Sequence, residues 1–258
     1  MVKAELIRAA KQLTFPAFSQ DGRFLQHHLA KRIIDATGDQ KDDYENTFTA
    51  RLLLLLESRP LVGELVHKDV IDDVIAKYWR EFSGHSDQFM PGFLANDILR
   101  YWRTLCLNYE ASTVEPKPAE LAPQKRAKRN VKNYKLKHSR MLTCYSALLQ
   151  LLGVYEASNT VTVADVQQLV RLTPTERVEF VGQNFATKEV APLIDEFLEK
   201  YEHFLENTNR SEDELIRLFQ DDSQSKRLRD EQSQFGDLAY KILYSIGHDS
   251  PFYRRLVI

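Results

Sequence analysis

The sequence predicts a mainly α-helical protein made of one or more helical bundles, with one or two short strands expected near the N-terminus. Charged residues make up 28% of the 258 residues, and the chain has only nine glycines and nine prolines. This composition favours helices over a turn-rich β architecture. Apolar residues also recur at steps of three and four positions, which is the period of a helix with one buried face.

The first half of the chain contains several segments with this helical period. The segment 15–18 is expected to be a short strand or a loop, whereas 43–58 is apolar nearly all round and should be buried. Asp42 or Asp43 can cap that helix, and Pro60 ends it. Helices are predicted over residues 4–13, 22–35, 43–58, 69–82 and 91–110.

Residues 111–124 contain three prolines and no apolar period, so a linker is predicted there. It divides the chain into an N-terminal region, 1–115, and a C-terminal region, 125–258. The longest helix is predicted over 126–155, where a heptad-like apolar stripe indicates packing along another helix. Residues 159–163 favour a short β segment. A C-terminal bundle is predicted from helices over 163–172, 175–184, 189–207, 212–221 and 223–246.

The net charge of −2 conceals an uneven distribution of charge along the chain. Residues 121–155 contain eight lysines or arginines and no acidic residue. Residues 189–237 contain fourteen acidic and six basic residues, a net charge of −8. The basic and acidic regions can pair with each other, or they can face different partners.

The sequence also bears on the compartment. The longest apolar run, 52–56, is too short to cross a bilayer, and residues 1–20 lack the pattern of a signal peptide. Cys106 and Cys144 lie among apolar residues and are expected to be reduced, with a disulfide as the alternative. We therefore expect a cytoplasmic protein with no membrane partner.

The segment 96–103 is the first candidate binding surface. On a helix, Asn96, Arg100 and Arg103 share the face opposite to the apolar one, and Asp97 can orient Arg100. Two guanidinium groups one turn apart can grip a phosphate or a carboxylate through paired hydrogen bonds. The alternative is an exposed helix face with an internal Asp–Arg pair.

Two further groups of residues extend this candidate surface. Lys132, Lys137 and Arg140 lie off the apolar stripe and form a plausible footprint for nucleotide phosphates or RNA. The alternative is a solvated helix end that attracts the acidic region. Glu57 and Arg59 follow the buried helix and can reach back to a site, or they can simply favour the helix terminus.

The sequence contains no recognisable catalytic or metal-binding motif. The seven histidines have no HExxH or CxxC partners, and the chain has no GxGxxG, phosphate-binding loop or GxSxG. His138 lies on the apolar stripe, so a core or interface position is expected for it. No catalytic residue and no metal ligand are predicted.

Three segments in order along the chain resemble a known family: TARLLLLLESRPLVG at 49–63, NDILRYWR at 96–103 and KNYKLKHSR at 132–140. They are similar to the latter part of bacterial nucleotidyltransferases related to the protein-PII uridylyltransferase. The resemblance covers about residues 40–155. It implies that the first segment follows the catalytic acids, and that the basic segments form one wall of a nucleotide site.

The chain departs from this family at the catalytic centre. The family's chemistry requires a Gly-Ser turn followed by two closely spaced acids that hold Mg²⁺ at the triphosphate, and no such motif is present. We therefore expect a helical module that is inactive alone, either a truncated product or a natural short form. Mg²⁺ with a nucleoside triphosphate is expected only if the missing half is supplied. No other cofactor is predicted.

Two alternatives use the same sequence features. The first is a helical protein that binds RNA through the basic surface. The second is a protein-interaction or antitoxin-like regulatory subunit, which binds a protein partner or forms a homodimer through its apolar stripe and acidic bundle. Steep salt dependence of binding would favour RNA, because an extended phosphate contact releases several counterions.

Overall fold

A computed structural model describes residues 2–15, 18, 27–113 and 122–257. Every regular element in those residues is helical, which confirms the mainly α fold, and no strand occurs among them. The short strand or loop expected at 15–18 lies partly outside the described residues. Residues 159–162, expected to favour β structure, connect two helices. The chain separates into two compact units, Met1–Ala50 and Arg51–Ile258.

The first unit contains α1 (Val2–Gln12), α2 (Ala30–Asp35), α3 (Lys41–Tyr44) and the start of α4 (Thr47–Leu56). The predicted helix 43–58 is wrong at its start, because Asn46 interrupts it with a left-handed φ of 55°. Asparagine tolerates this conformation better than most residues. The buried Thr47 hydroxyl donates to Asp42 Oδ1 at 2.7 Å, which ties α4 to α3.

The predicted helix 22–35 is also shorter in the structure. Residues 27–29 are not helical, and α2 begins at Ala30. Residues 22–26 of that prediction lie outside the described part of the chain.

The second unit contains the remaining helices. A 3₁₀ turn, Phe82–Gly84, lies between the first and the second of them. The elements are α5 (Glu64–Tyr78), α6 (Gly92–Ala111), α7 (Pro123–Lys135), α8 (Met141–Ser158), α9 (Val163–Arg171), α10 (Pro174–Asn184), α11 (Ala191–Thr208), α12 (Glu212–Gln220), α13 (Asp222–Gly247) and α14 (Pro251–Val257).

The predicted helix 69–82 begins five residues early, as α5. Gly63 stands just before it with a φ of 69°, a left-handed conformation that glycine adopts without steric cost. The first turn of α5 carries exposed apolar side chains, so it lacks the one-sided apolar pattern that marks the rest of the helix.

The predicted helix 126–155 is observed as a continuous helix that contains one irregular turn. Between α7 and α8 the backbone forms a single π turn, Leu136–Arg140. A π turn inserts one extra residue into a helical turn and thereby rotates α8 relative to α7 about the helix axis. The longest uninterrupted α-helix among the described residues is instead α13, with 26 residues.

Capping boxes explain why the later helices begin where they do. In each box, the Ser or Thr that precedes the helix accepts a hydrogen bond from the backbone N–H of the third helical residue. The acidic side chain of that third residue accepts one from the backbone N–H of the Ser or Thr. The boxes precede α9, α10 and α12 and are formed by Thr162 with Asp165, Thr173 with Glu176, and Ser211 with Glu214.

The core of the second unit forms around α8, which packs against α6, α9, α10 and α13. Leu148, Leu149 and Leu152 of α8 are completely buried. Helices from both sides of the predicted linker thus pack together. Residues 114–121 of that linker are not described, and the proposed division at 115–125 remains a prediction. A second cluster joins α7, α11, α12 and α13 around Tyr134 and Phe204.

Candidate functional site

Helix α6 carries four of the residues predicted to form a site, and these four differ in how far they are exposed. Asn96 is exposed and lines a cleft of about 430 Å³ with Phe93 and Arg255. Arg100 is half-buried and Arg103 is exposed. Asp97 lies in the interior, with only 6% of the residue exposed.

Asp97 belongs to a buried network with Arg51 and Tyr78. The Tyr78 hydroxyl donates to Asp97 Oδ2 at 2.6 Å, and Arg51 Nε donates to that hydroxyl at 2.9 Å. Arg51 Nη2 also donates to Asp97 Oδ2, at 3.3 Å. Burial and the charge of Asp97 raise the pKa of Tyr78 far above its ordinary value, so the hydroxyl stays protonated.

The network connects α4, α5 and α6 through charged groups that water barely reaches. Arg100 Nη1 lies 3.9 Å from the other carboxylate oxygen of Asp97, at the edge of the network. Asp97 is therefore the counter-ion of a buried arginine, and its carboxylate does not lie on the exposed basic surface.

Glu57 and Arg140 form an ion pair between the end of α4 and the end of the π turn. Burial by itself would lower the pKa of Arg140, but the Glu57 carboxylate holds it above its ordinary value. Tyr101 lies beside this pair, and burial together with Glu57 raises its pKa. The Arg140 guanidinium is thus already engaged by a carboxylate.

Arg177, which is not among the residues predicted from the sequence, lies fully buried near these groups. Its Nε donates to the Leu169 carbonyl at 2.9 Å, and its Nη2 donates to the Leu56 carbonyl at 3.0 Å. Burial, with a contribution from Arg59, lowers the pKa of Arg177 to about 10. One cation therefore stabilises the C-terminal ends of both α4 and α9, where helix dipoles place negative charge.

Arg59 lies at the same end of α9. Its Nη2 donates to the Arg171 carbonyl at 3.2 Å, and its Nη1 donates to the Ser58 carbonyl at 2.9 Å. This geometry matches the alternative interpretation of Arg59, a cation at a helix terminus, although the helix is α9 as well as the one it follows.

The exposed basic surface follows α7. The lysine row, as we call it, consists of four exposed side chains at steps of three and four residues, Lys125, Lys128, Lys132 and Lys135. Within the described residues, none of the four forms an ion pair, whereas Arg126 Nη2 lies 3.7 Å from Asp222. Ten helical residues rise by about 15 Å, so the row presents a line of positive charge of that length.

Two more of the predicted residues, Lys137 and Arg103, lie near one aromatic pair. Lys137 Nζ lies 5.6 Å from the centre of the Trp102 ring, a cation–π distance. Trp102 contacts Tyr145 edge to face at 6.1 Å, and the charge of Arg103 acts on Tyr145. Arg103 and Lys137 are therefore both close to this aromatic pair, whereas Arg140 forms an ion pair with Glu57.

A cleft of about 450 Å³ lies between the start of α5 and α9. In it Ser58 Oγ is 2.7 Å from His67 Nε2 and 2.6 Å from the Leu54 carbonyl. A carbonyl only accepts, so the single hydroxyl proton goes to Leu54 and His67 must donate to Ser58. This pair is consequently not arranged as an activated nucleophile.

Four large apolar side chains are exposed next to this cleft. They form the apolar patch: Leu61 is 84% exposed, Val62 87%, Leu65 77% and Val66 67%. Arg59, Lys68 and Arg171 also line the cleft. Contiguous apolar exposure of this kind marks interaction surfaces.

The described part of the chain offers neither a metal site nor a membrane span. No group of three His, Cys, Asp or Glu side chains is arranged to hold a metal ion among those residues. In the same residues, none of the helices combines the length and apolar character needed to cross a membrane.

Comparisons of the chain with models of known protein families, with curated proteins and with solved structures found no match. The resemblance to nucleotidyltransferases accordingly remains a prediction.

Proposed function

We propose that this chain binds the phosphate backbone of RNA through the lysine row, with Arg103 and Lys137 beside it. The observation that carries the proposal is the line of four exposed lysines on α7 that form no ion pair with any described residue. Exposed cations without carboxylate partners are the groups that release counterions from a phosphate backbone.

The arrangement favours an extended ligand over a single nucleotide. Arg140 is paired with Glu57, and Arg100 approaches Asp97, so two of the predicted phosphate-binding arginines already contact acids. Of the other predicted cations, Arg59 donates to backbone carbonyls, Lys132 belongs to the lysine row on α7, Lys137 lies in the π turn and Arg103 lies on α6. A line of charge about 15 Å long matches several successive phosphates better than one triphosphate.

An aromatic group next to Lys137 supports a single-stranded nucleic acid as the ligand. Trp102 is half-buried next to Lys137 and Arg103 and can offer part of its ring to an unstacked base. Single-stranded nucleic acids are bound by such combinations of a basic track with an aromatic platform.

The test is fluorescence anisotropy with a labelled oligouridine of about 20 nucleotides, comparing the full chain with a variant in which Lys125, Lys128, Lys132 and Lys135 are replaced by Gln. The variant should bind at least about tenfold more weakly. A matched control replaces Lys226, Arg229 and Lys241, exposed bases of α13, and should bind like the unmodified protein.

Three outcomes would overturn the proposal. The lysine-row variant could bind RNA as well as the unmodified chain does. A nucleoside triphosphate could compete at a concentration similar to its own binding constant, which would favour a nucleotide site. Polyglutamate could displace the RNA with equal affinity, which would favour an acidic protein as the partner.

We propose protein binding as a second candidate function, since the apolar patch favours it. Its occupant would be an apolar segment that carries a carboxylate, because Arg59, Lys68 and Arg171 line the adjoining cleft. The fluorescent probe 1-anilinonaphthalene-8-sulfonate combines an aromatic body with an anion. Its emission should rise with the unmodified protein and fall back with a Leu61→Ser, Leu65→Ser double variant.

Sedimentation velocity of the same two proteins distinguishes the occupants. Concentration-dependent dimerisation that disappears in the double variant would assign the patch to a second copy of the chain. Equal probe emission from both proteins would contradict a docking role for the patch.

A further inference from the structure

A second cleft, of about 290 Å³, lies against the π turn, α11 and α13, away from the lysine row. Its lining is rich in groups that accept hydrogen bonds or carry negative charge. We call it the acceptor cleft, and its lining residues are His138, Glu196, Glu199, Lys200, His203 and Glu231.

His138 lines this cleft from the interior. Only 1% of the residue is exposed, and its ring is stacked on Phe204 at 4.7 Å and on Phe235 at 4.8 Å. Its Nδ1 lies 2.9 Å from the Tyr134 carbonyl, which can only accept. Nδ1 therefore carries the hydrogen, and in the neutral ring Nε2 is an acceptor.

The Nε2 atom of His138 has no hydrogen-bond partner among the described residues. Burial lowers the pKa of His138 to about 4, so the ring is neutral near pH 7. An acceptor in a buried, neutral ring that borders a cleft is available for a ligand that donates a hydrogen.

The carboxylates of the cleft are also incompletely satisfied. Glu231 Oε2 is buried without a hydrogen bond, and His203 Nδ1 lies 3.5 Å away. Glu196 is 3.8 Å from Lys200, whose ammonium group also donates to Gln234 at 2.9 Å. Arg227 Nε lies 3.7 Å from the other Glu231 oxygen, Oε1, so Oε2 is the oxygen of this carboxylate that is buried without a hydrogen bond. A buried acceptor without a partner is costly.

We propose that the acceptor cleft binds a small aliphatic amine in its ammonium form, with N–H groups directed to Glu231 and to His138 Nε2. The positive charge matches the excess of carboxylates, and the N–H groups match the two unsatisfied acceptors. The volume, about 290 Å³, suits a short diamine. A bare metal ion fits less well, because the described residues hold no group of three suitable ligands.

The π turn supports the same location. It places His138 between the aromatic residues of α11 and α13 while the preceding helix keeps its own apolar face buried. Single π turns inside α-helices occur frequently at functional sites. The proposal does not depend on RNA binding, because none of its residues belongs to the lysine row.

Titration calorimetry of the full chain with 1,4-diaminobutane tests the proposal, with butane-1,4-diol as the uncharged control. The diamine should bind and the diol should not. Glu231→Gln should weaken the diamine at least tenfold. Asp237→Asn, an exposed acid on the same helix, should leave the affinity unchanged.

Long-range ¹H–¹⁵N spectra of the histidine rings give an independent readout that does not require a variant. Saturating diamine should shift the Nε2 resonance of His138 and leave that of His85, an exposed histidine outside the cleft, in place. The proposal is overturned if the diol binds as tightly as the diamine or if Glu231→Gln binds normally. It is also overturned if Zn²⁺ displaces the diamine and binds through the same residues.

Discussion

The Tyr78 hydroxyl accepts a hydrogen bond from Arg51 Nε at 2.9 Å and donates its own hydrogen to Asp97 at 2.6 Å, inside the protein. A tyrosine thus lies between a buried arginine and its counter-ion. Because each charge has little access to water, the three side chains depend on one another far more than surface ion pairs do.

Removing the Asp97 carboxylate should therefore destabilise the fold strongly. We expect Asp97→Asn to lower the free energy of unfolding by about 3–5 kcal/mol, because it removes a carboxylate that contacts the fully buried Arg51 guanidinium. Tyr78→Phe should cost less, about 1–3 kcal/mol, since it removes hydrogen bonds and no charge. Urea denaturation measures both, with the exposed Asp73→Asn as the control, and equal stability of Asp97→Asn and that control would contradict the network's role.

Arg177 holds two helix ends at once, so its replacement should destabilise both. Arg177→Met keeps most of the side-chain volume but removes the guanidinium donor from the Leu56 carbonyl and from the Leu169 carbonyl, which keeps only the Leu172 N–H at 3.3 Å. We expect a loss of about 2–4 kcal/mol in urea denaturation. Arg217→Met, at an exposed position of α12, is the control and should change stability by less than about 0.5 kcal/mol.

The burial of neutral His138 predicts a specific pH dependence. Its pKa is about 4 in the folded chain, against about 6.5 when exposed, so between these values the unfolded chain binds more protons. The free energy of unfolding should keep its full value above pH 6.5. It should decline as the pH falls towards 4, by about 2 kcal/mol between pH 7 and pH 5.

Comparison of variants isolates this contribution. His138→Phe should lose that part of the pH dependence, while His85→Gln, an exposed control, should retain it. Parallel stability curves for the unmodified chain and His138→Phe would show that another group is responsible.

Replacing either of two glycines in α13 by alanine should have opposite effects on stability. A Cβ at Gly247 would lie 2.6 Å from Leu152 Cδ2, a fully buried side chain, so Gly247→Ala should destabilise by about 1–3 kcal/mol. A Cβ at Gly236 meets nothing within 4 Å. Gly236→Ala should stabilise by up to about 1 kcal/mol through helix propensity, and thermal denaturation of both variants checks the pair.

Salt titration provides a further check on RNA binding. For a single strand, the logarithm of the binding constant falls by about 0.7 per phosphate contacted and per tenfold increase in salt. Replacing all four lysines of the lysine row by Gln should therefore flatten the slope by about 3. A variant that binds more weakly with an unchanged slope would mean that the lysines act indirectly.

The helices themselves could be predicted from local patterns, and the exceptions have local causes. Helix α6 begins and ends within one residue of its prediction, because Pro91 and the apolar period mark it clearly. The break at Asn46 could not be predicted, since the apolar pattern continues through it. The π turn was hidden for a similar reason, because Tyr134, His138 and Met141 keep spacings of four and three.

The site was harder to predict because its determinants are distant in sequence. The exposed charge of Lys132 and Lys137 could be expected from residues that lie off the apolar stripe. The burial of Asp97 could not, because its partner Arg51 precedes an apolar run 46 positions earlier. Arg177 has a carbonyl partner 121 positions away and lies in an ordinary polar context, so the sequence offers no signal for it.

The π turn also decides how the chain tolerates a change of length at that point. Because the turn holds one residue more than a regular helical turn, a deletion of one residue from Leu136–Arg140 can convert it to α-helix and leave α7 in its place. If one residue were inserted there while α8 stayed in place and no second π turn formed, every residue of α7 would move back by one position. Lys128, Lys132 and Lys135 would then occupy the buried sites that Ala127, Val131 and Tyr134 fill.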